Sequence, residues 1–347
     1  MTPVNASNGS DTSSEGIDSD AGESGPSSDA RRPDGIGMMM LNVFRGFCMG
    51  AADTVPGVSG GTVALILGHY DRLIEAISHV DTDSLGLLRS GKWMELARRM
   101  DLRFLIALGI GIVVGIGSLA GLMHWLLQHR VNETMAVFFG LVLASVWVVR
   151  RNVDQWTAPR WALLGVGVLV ACGISRIPAT TGDASHVFLF FSASIAICAM
   201  ILPGISGAFI LLLLGVYEPV IGMIKGVVKG QIDIDILGRL AVFAAGCLFG
   251  LLAFSRLLNY LLKHFRNATM AVLIGLMIGS VGRLWPLQRV TPETAELELK
   301  YQVFEWVSPT NYEGSVMILL VLAIIAAAVV IAADHFTRRM QSSAAAA

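Results

Sequence analysis

Three long runs of this chain carry no Asp, Glu, Lys or Arg, and they restrict it to one class of fold. Residues 104–127 hold 24 such positions, residues 314–333 hold 20, and residues 187–217 hold 31, interrupted only by Pro203 and Gly204. A helix needs about 20 apolar residues to cross a bilayer. In lipid only helices and closed barrels satisfy their own backbone, and these runs lack the alternation of a barrel strand. The chain therefore reads as an all-α polytopic membrane protein. Its composition agrees: 54% of residues are hydrophobic and 15% charged, against about a quarter charged in soluble domains.

The same composition excludes several function classes. With a net charge of −1, bulk electrostatics point to no nucleic-acid partner. Cys48, Cys172, Cys198 and Cys247 all lie in apolar stretches and form no Cys-x-x-Cys or zinc spacing. They read as small buried hydrophobes. The seven histidines show no metal pattern. No metal and no cofactor are expected. Residues 1–35 are rich in Ser, Gly, Asp and Glu and contain no apolar core of a signal peptide, so a disordered polar tail is expected there.

The chain also repeats itself. Pro56-Gly-Val-Ser-Gly60 returns as Pro203-Gly-Ile-Ser-Gly207, a shift of 147 positions, and each copy runs on to a Gly-x-Tyr followed by an acid, Asp71 or Glu218. A second pair, Asn132-x-Thr134-Met-Ala-Val and Asn267-x-Thr269-Met-Ala-Val, is shifted by 135. Two matches in the same order indicate a duplication with one longer loop near residues 78–100. The expected organisation is a tail at 1–35, membrane repeats at 36–180 and 181–335, and a cytoplasmic tail at 336–347.

Each repeat reads as a helical hairpin broken at Pro-Gly, followed by about three transmembrane helices. The arms flanking Pro203 hold 16 and 14 residues, which reach about 24 and 21 Å, short of a ~30 Å hydrocarbon core. The favoured reading is a re-entrant hairpin, with two tilted full spans as the other. Either gives an odd number of crossings per repeat, so the repeats are inverted, as in many secondary transporters. The totals are six or ten crossings, with both termini on one side. Basic residues choose that side. Arg31, Arg32, Arg89, Lys92, Arg98, Arg99, Arg103, Arg150, Arg151, Arg160, Lys263, Arg266, Arg338 and Arg339 lie with the termini. Arg130, Arg176, Lys225, Lys229, Arg239, Arg283, Arg289 and Lys300 lie opposite. Cytoplasmic termini are expected.

The two turns hold the candidate site. Pro56, Gly57, Ser59, Gly60, Gly61 and Thr62 in one, and Pro203, Gly204, Ser206 and Gly207 in the other, open short helices whose free N–H groups suit an anion. The plainer role is close hairpin packing through small residues. Arg45 and Asp53 lie eight apart on the first arm, close enough in phase to share a helix face, where ionisable groups are costly and functional. The plainer role of Arg45 is snorkelling to the interface from a short arm. Their counterparts under the shift are Ser192 and Met200, so a shared site is asymmetric. Secondary candidates are Asp71, Glu218, Arg256, and the helix-start residues Asn132, Thr134, Asn267 and Thr269, which capping also explains.

The segment from Asn42 to Thr62, together with Ile201-Leu-Pro-Gly-Ile-Ser-Gly207, resembles the bacterial domain-of-unknown-function 368 family of polyprenyl-phosphate transporters. The likeness covers about residues 36–335. It implies a flippase in the cytoplasmic membrane that returns undecaprenyl phosphate to the inner leaflet, and no enzyme. Two rivals share the pattern. Undecaprenyl-pyrophosphate phosphatases of the bacitracin-resistance type carry Arg and Ser after the turn serine, whereas Gly60-Gly61 and Gly207-Ala208 stand here. An ion-coupled transporter of a small soluble anion would look much the same. Coupling to H+ or Na+ and an oligomer leave no mark in the pattern.

Overall fold

The computed structural model describes residues 35–54, 59–80, 82–177, 185–230, 233–294, 302 and 304–345. Nearly all of the expected N-terminal tail, and Pro56 and Gly57 of the first turn, lie outside the described residues. The first half runs α1 (Ile36–Asp53), α2 (Gly60–Ile66), α3 (Tyr70–Ser78), α4 (Thr82–Arg89), α5 (Trp93–Arg99), α6 (Leu102–His129), α7 (Val131–Val149) and α8 (Ala158–Arg176). The second half repeats this order without the short α4–α5 pair. It runs α9 (His186–Ile201), α10 (Gly207–Leu213), α11 (Tyr217–Val228), α12 (Ile234–His264), α13 (Arg266–Ser280) and α14 (Val316–Ala345). An antiparallel ribbon of β1 (Gln288–Val290) and β2 (Phe304–Trp306) stands between α13 and α14.

Among the described residues six helices are long and apolar enough to cross a bilayer: α6, α7, α8, α12, α13 and α14. Two seven-residue helices, α2 and α10, follow the breaks. Each spans about 10 Å, so neither crosses by itself. α10 and α11 meet at a bend of 111°. The segment expected as a C-terminal tail continues as helix to Ala345.

Local signals place the boundaries. Pro159 sits in the first turn of α8, where its missing N–H costs nothing. Ser185 caps α9 by accepting from the Phe188 amide, 3.3 Å. The duplicated Gly-x-Tyr appears in the backbone too. Gly68 and Gly215 both take φ of +70°, ending α2 and α10 in the left-handed region that favours glycine.

Lipid provides no hydrophobic drive between helices, so they associate by close packing. Gly46 and Gly50 of α1 face the carbonyls of Leu108 and Ile112, and Gly111 and Gly115 of α6 face those of Val43 and Phe47. The order shows that α1 and α6 run parallel. The second half does the same: Gly246 and Gly250 of α12 face the carbonyls of Phe190 and Ser194 on α9. The remaining helices exchange partners between halves. α8 packs on α13 through Gly167 and Gly275, and α14 packs on α7 at Gly140. α13, with Met270, Leu273, Ile274 and Met277 all enclosed, is the central helix. Val113, Leu169, Ile318 and Val329 point outward and form an apolar belt suited to lipid.

Candidate substrate-binding site

Ser59 ends the first break in extended backbone, and its Oγ accepts from the Gly61 amide at 3.1 Å. Asp53, the last residue of α1, accepts from the Gly60 amide through Oδ1 at 2.7 Å. The two leading amides of α2, expected to lie open for an anion, are thus held by side chains of the protein itself. The Ser59 hydroxyl also lies within donating reach of the carbonyls of Met200, 3.2 Å, and Leu202, 3.4 Å. Thr62 Oγ1 accepts from the Gly204 amide at 3.0 Å. Tyr70 donates to the Ile201 carbonyl at 3.2 Å. These bonds join the two breaks directly to each other.

The second break is described throughout, and its serine differs from that of the first. Gly204 takes φ of +85°. Pro203 is buried just before it. Ser206 is extended like Ser59, yet its side chain makes no capping bond. A Cβ on Gly207 would fall 2.6 Å from the Ala196 carbonyl oxygen, so only glycine lets α10 lie against α9 there. Beside this break the guanidinium of Arg283 lies 3.4 Å from the centroid of the Phe209 ring and donates to the Ser175 carbonyl at 3.4 Å. By its place in the sequence Arg283 counts among the outer-loop cations. The signal available was its position at the very end of an apolar run.

Arg45 lies at the other end of α2. It donates to Asn42 Oδ1 at 3.1 Å and to the Leu67 carbonyl at 3.5 Å. Arg45 and Asp53 therefore both face α2, as their spacing predicted, but at opposite ends of it.

A family model described as VCA0040-like, undecaprenyl phosphate translocase-like, matches residues 49–300, a stretch that includes both breaks. A polyprenyl-phosphate transporter of Vibrio cholerae serotype O1 is 42% identical over 243 residues, covering 70% of this chain and 76% of the relative. A polyprenyl-phosphate transporter of Staphylococcus aureus is 33% identical over 258 residues, covering 71% and 86%. The chain belongs to the undecaprenyl phosphate translocase-like family. No solved structure matches it.

Within this family member the secondary candidates sit away from the breaks. Asn132 and Asn267 lie inside the first turns of α7 and α13, and neither helix has a side-chain cap. They clamp loops instead. Asn132 donates to the carbonyls of Pro286, 2.9 Å, and of Gln288, 2.8 Å, where the segment after α13 enters β1. Asn267 bonds Asp154 in the loop after α7, through the Asp154 amide at 3.2 Å and its carboxylate at 3.1 Å. Each half thus holds the other's loop. Thr134 and Thr269 donate back to the carbonyls of Arg130 and Phe265. Asp71 pairs with Arg266 at 2.8 Å, and Lys263 with Glu75 at 3.1 Å. Arg256 donates to the Val80 carbonyl just past α3, so it anchors α3 to α12. Glu218 lies in the first turn of α11. Among the described residues no group of His, Cys, Asp or Glu is arranged to hold a metal.

Proposed function

We propose that this protein is a flippase for a polyprenyl phosphate, returning undecaprenyl phosphate from the outer to the cytoplasmic leaflet for reuse in envelope polymer synthesis. The observation that carries this reading is the 42%-identical transporter, matched together with a family model that spans both breaks. The physical problem it must solve is a phosphate in a hydrocarbon core, where an unpaired charge is very costly. The long prenyl chain stays in lipid while the headgroup follows a lateral polar groove.

The reading includes inverted repeats with re-entrant hairpins and cytoplasmic termini. The parallel packing of α8 on α13, with Gly275 at the Leu164 carbonyl and Gly279 at the Val168 carbonyl, supports it, because α13 is the second-half counterpart of α7, and successive spans α7 and α8 cross in opposite directions. The headgroup site is the junction of the breaks. Ser59, Gly60, Gly61 and Thr62 form one wall and Pro203, Gly204, Ser206 and Gly207 the other. Asp53 already occupies the Gly60 amide, so the phosphate enters by replacing one anion with another. Arg45 supplies positive charge on the cytoplasmic side.

Purified protein in liposomes tests this. The leaflet accessibility of undecaprenyl phosphate should change without release of inorganic phosphate. Phosphate release from the pyrophosphate form would install a phosphatase instead, and no effect on either lipid would leave a soluble-anion transporter.

A further inference from the structure

We infer that the cavity beside the second break, lined by Arg283, is an anion site that takes the phosphate monoester headgroup; this rests on the transport reading above. The cavity measures about 20 Å³ and is walled by Ala171 and Ile174 of α8, Gly204 and Ser206 of the break, and Phe209 of α10. It has room for about one oxygen-sized group. A tetrahedral phosphate would seat one oxygen inside and leave its ester oxygen and chain facing the lipid.

The polar groups at this cavity are donors in search of an acceptor. A guanidinium has five N–H donors and cannot lose its charge. Among the described residues Arg283 makes one long hydrogen bond, to Ser175, and no carboxylate pairs with it. The Phe209 ring lies under the guanidinium, a contact that holds the cation by its π face and uses none of its N–H donors. The Ser206 hydroxyl does not cap α10, unlike the Ser59 hydroxyl on α2. A partly buried cation and an uncommitted hydroxyl across a small apolar-walled cavity call for an anionic oxygen.

The fold itself does not require the cation. Under the 135-residue shift the counterpart of Arg283 is Val148, which packs with Val330 of α14 and Ile66 of α2 in an apolar cluster. The first half builds the same position from hydrocarbon. Arg283 is therefore a specific addition to the second half, and it lies beyond the junction from Arg45.

The test is lipid binding to the full-length protein in detergent, read by native mass spectrometry. The probes are a polyprenyl monophosphate, the uncharged polyprenol of equal length, and inorganic phosphate. The wild type should prefer the monophosphate over the polyprenol. Arg283→Gln should reduce that preference about tenfold or more while leaving polyprenol binding unchanged. Among the described residues Ser206→Ala breaks no side-chain hydrogen bond; it should reduce the preference about threefold to tenfold, and it serves where Arg283→Gln does not fold. Displacement of the lipid by inorganic phosphate in the wild type and not in Arg283→Gln would identify the phosphate group alone as the ligand. Loss of preference without such displacement would identify the lipid monoester. An undiminished preference in folded Arg283→Gln, or in Ser206→Ala if that variant alone folds, would overturn the inference and leave the transport reading standing. A wild type that binds neither lipid would remove both.

Discussion

Asp53 and Arg45 hold the two ends of one short helix, with the carboxylate on the Gly60 amide at 2.7 Å and the guanidinium at the Leu67 carbonyl at 3.5 Å. Eight residues of α1 span about 12 Å and seven of α2 about 10 Å, so the spacing in one arm matches the length of the other. The signs are those that a helix dipole favours, negative at the first N–H and positive at the last C=O. A charged pair in a membrane arm is stabilised here through the helix between its members.

Asp53 should therefore separate two effects. Asp53→Ala removes the acceptor of a part-buried amide and should cost about 1–3 kcal/mol of stability, seen as a lower melting temperature in detergent. Asp53→Asn keeps an acceptor and loses the charge. Because a phosphate displaces a neutral amide more easily than a carboxylate, Asp53→Asn should bind polyprenyl phosphate more tightly than wild type. Equal affinity would mean that lipid and Asp53 do not compete.

Arg45 bridges Asn42 on its own helix and Leu67 across the break. A lysine ammonium lacks the planar fork that spans two acceptors. Arg45→Ala should abolish translocation in liposomes, and Arg45→Lys should restore little of it. Full activity in folded Arg45→Ala would show that the residue only reaches for the interface.

Two glycines of the first hairpin should respond differently. A Cβ on Gly61 would lie 2.5 Å from the Ile201 carbonyl oxygen and force the breaks apart, an overpacking cost of about 1–3 kcal/mol. Gly68 has open space around it but φ of +70°, a strain of about 1–2 kcal/mol for alanine. Both variants should lose stability in thermal melts, and only Gly61→Ala should lose translocation. Normal transport by Gly61→Ala would detach the junction from function.

Topology can be read with an impermeant thiol reagent on intact cells. Asp20→Cys and Ser342→Cys should resist it, and Thr310→Cys, after the ribbon, should label. Labelling of just one terminus would break the inverted arrangement.

The sequence showed the long helices, both breaks and the Gly68–Gly215 correspondence, because hydropathy and glycine dihedrals are local properties. It did not show that α8 would pack on α13 and α14 on α7, since partner choice depends on surfaces far apart in the chain. The ribbon and the α4–α5 pair, short and partly polar, give weak periodic signals. Asn132 and Asn267 looked like caps because a cap and a loop clamp use the same residue type at nearly the same position. Arg283 was assigned by loop counting, and only three-dimensional placement turns its guanidinium toward Phe209.

The exchanged partners also bear on how the chain is made. Arg151, just past α7, reaches Asp334 on α14 across 183 residues. At about 5–20 residues per second of synthesis, α7 waits on the order of ten to forty seconds for the helix that covers Gly140. During that interval its small-residue face must stay in lipid, or with an insertion factor, without a permanent neighbour. Biogenesis of this protein is therefore a closing of the first half by the last helix, and a ribosome that stops before α14 leaves an open half-molecule in the membrane.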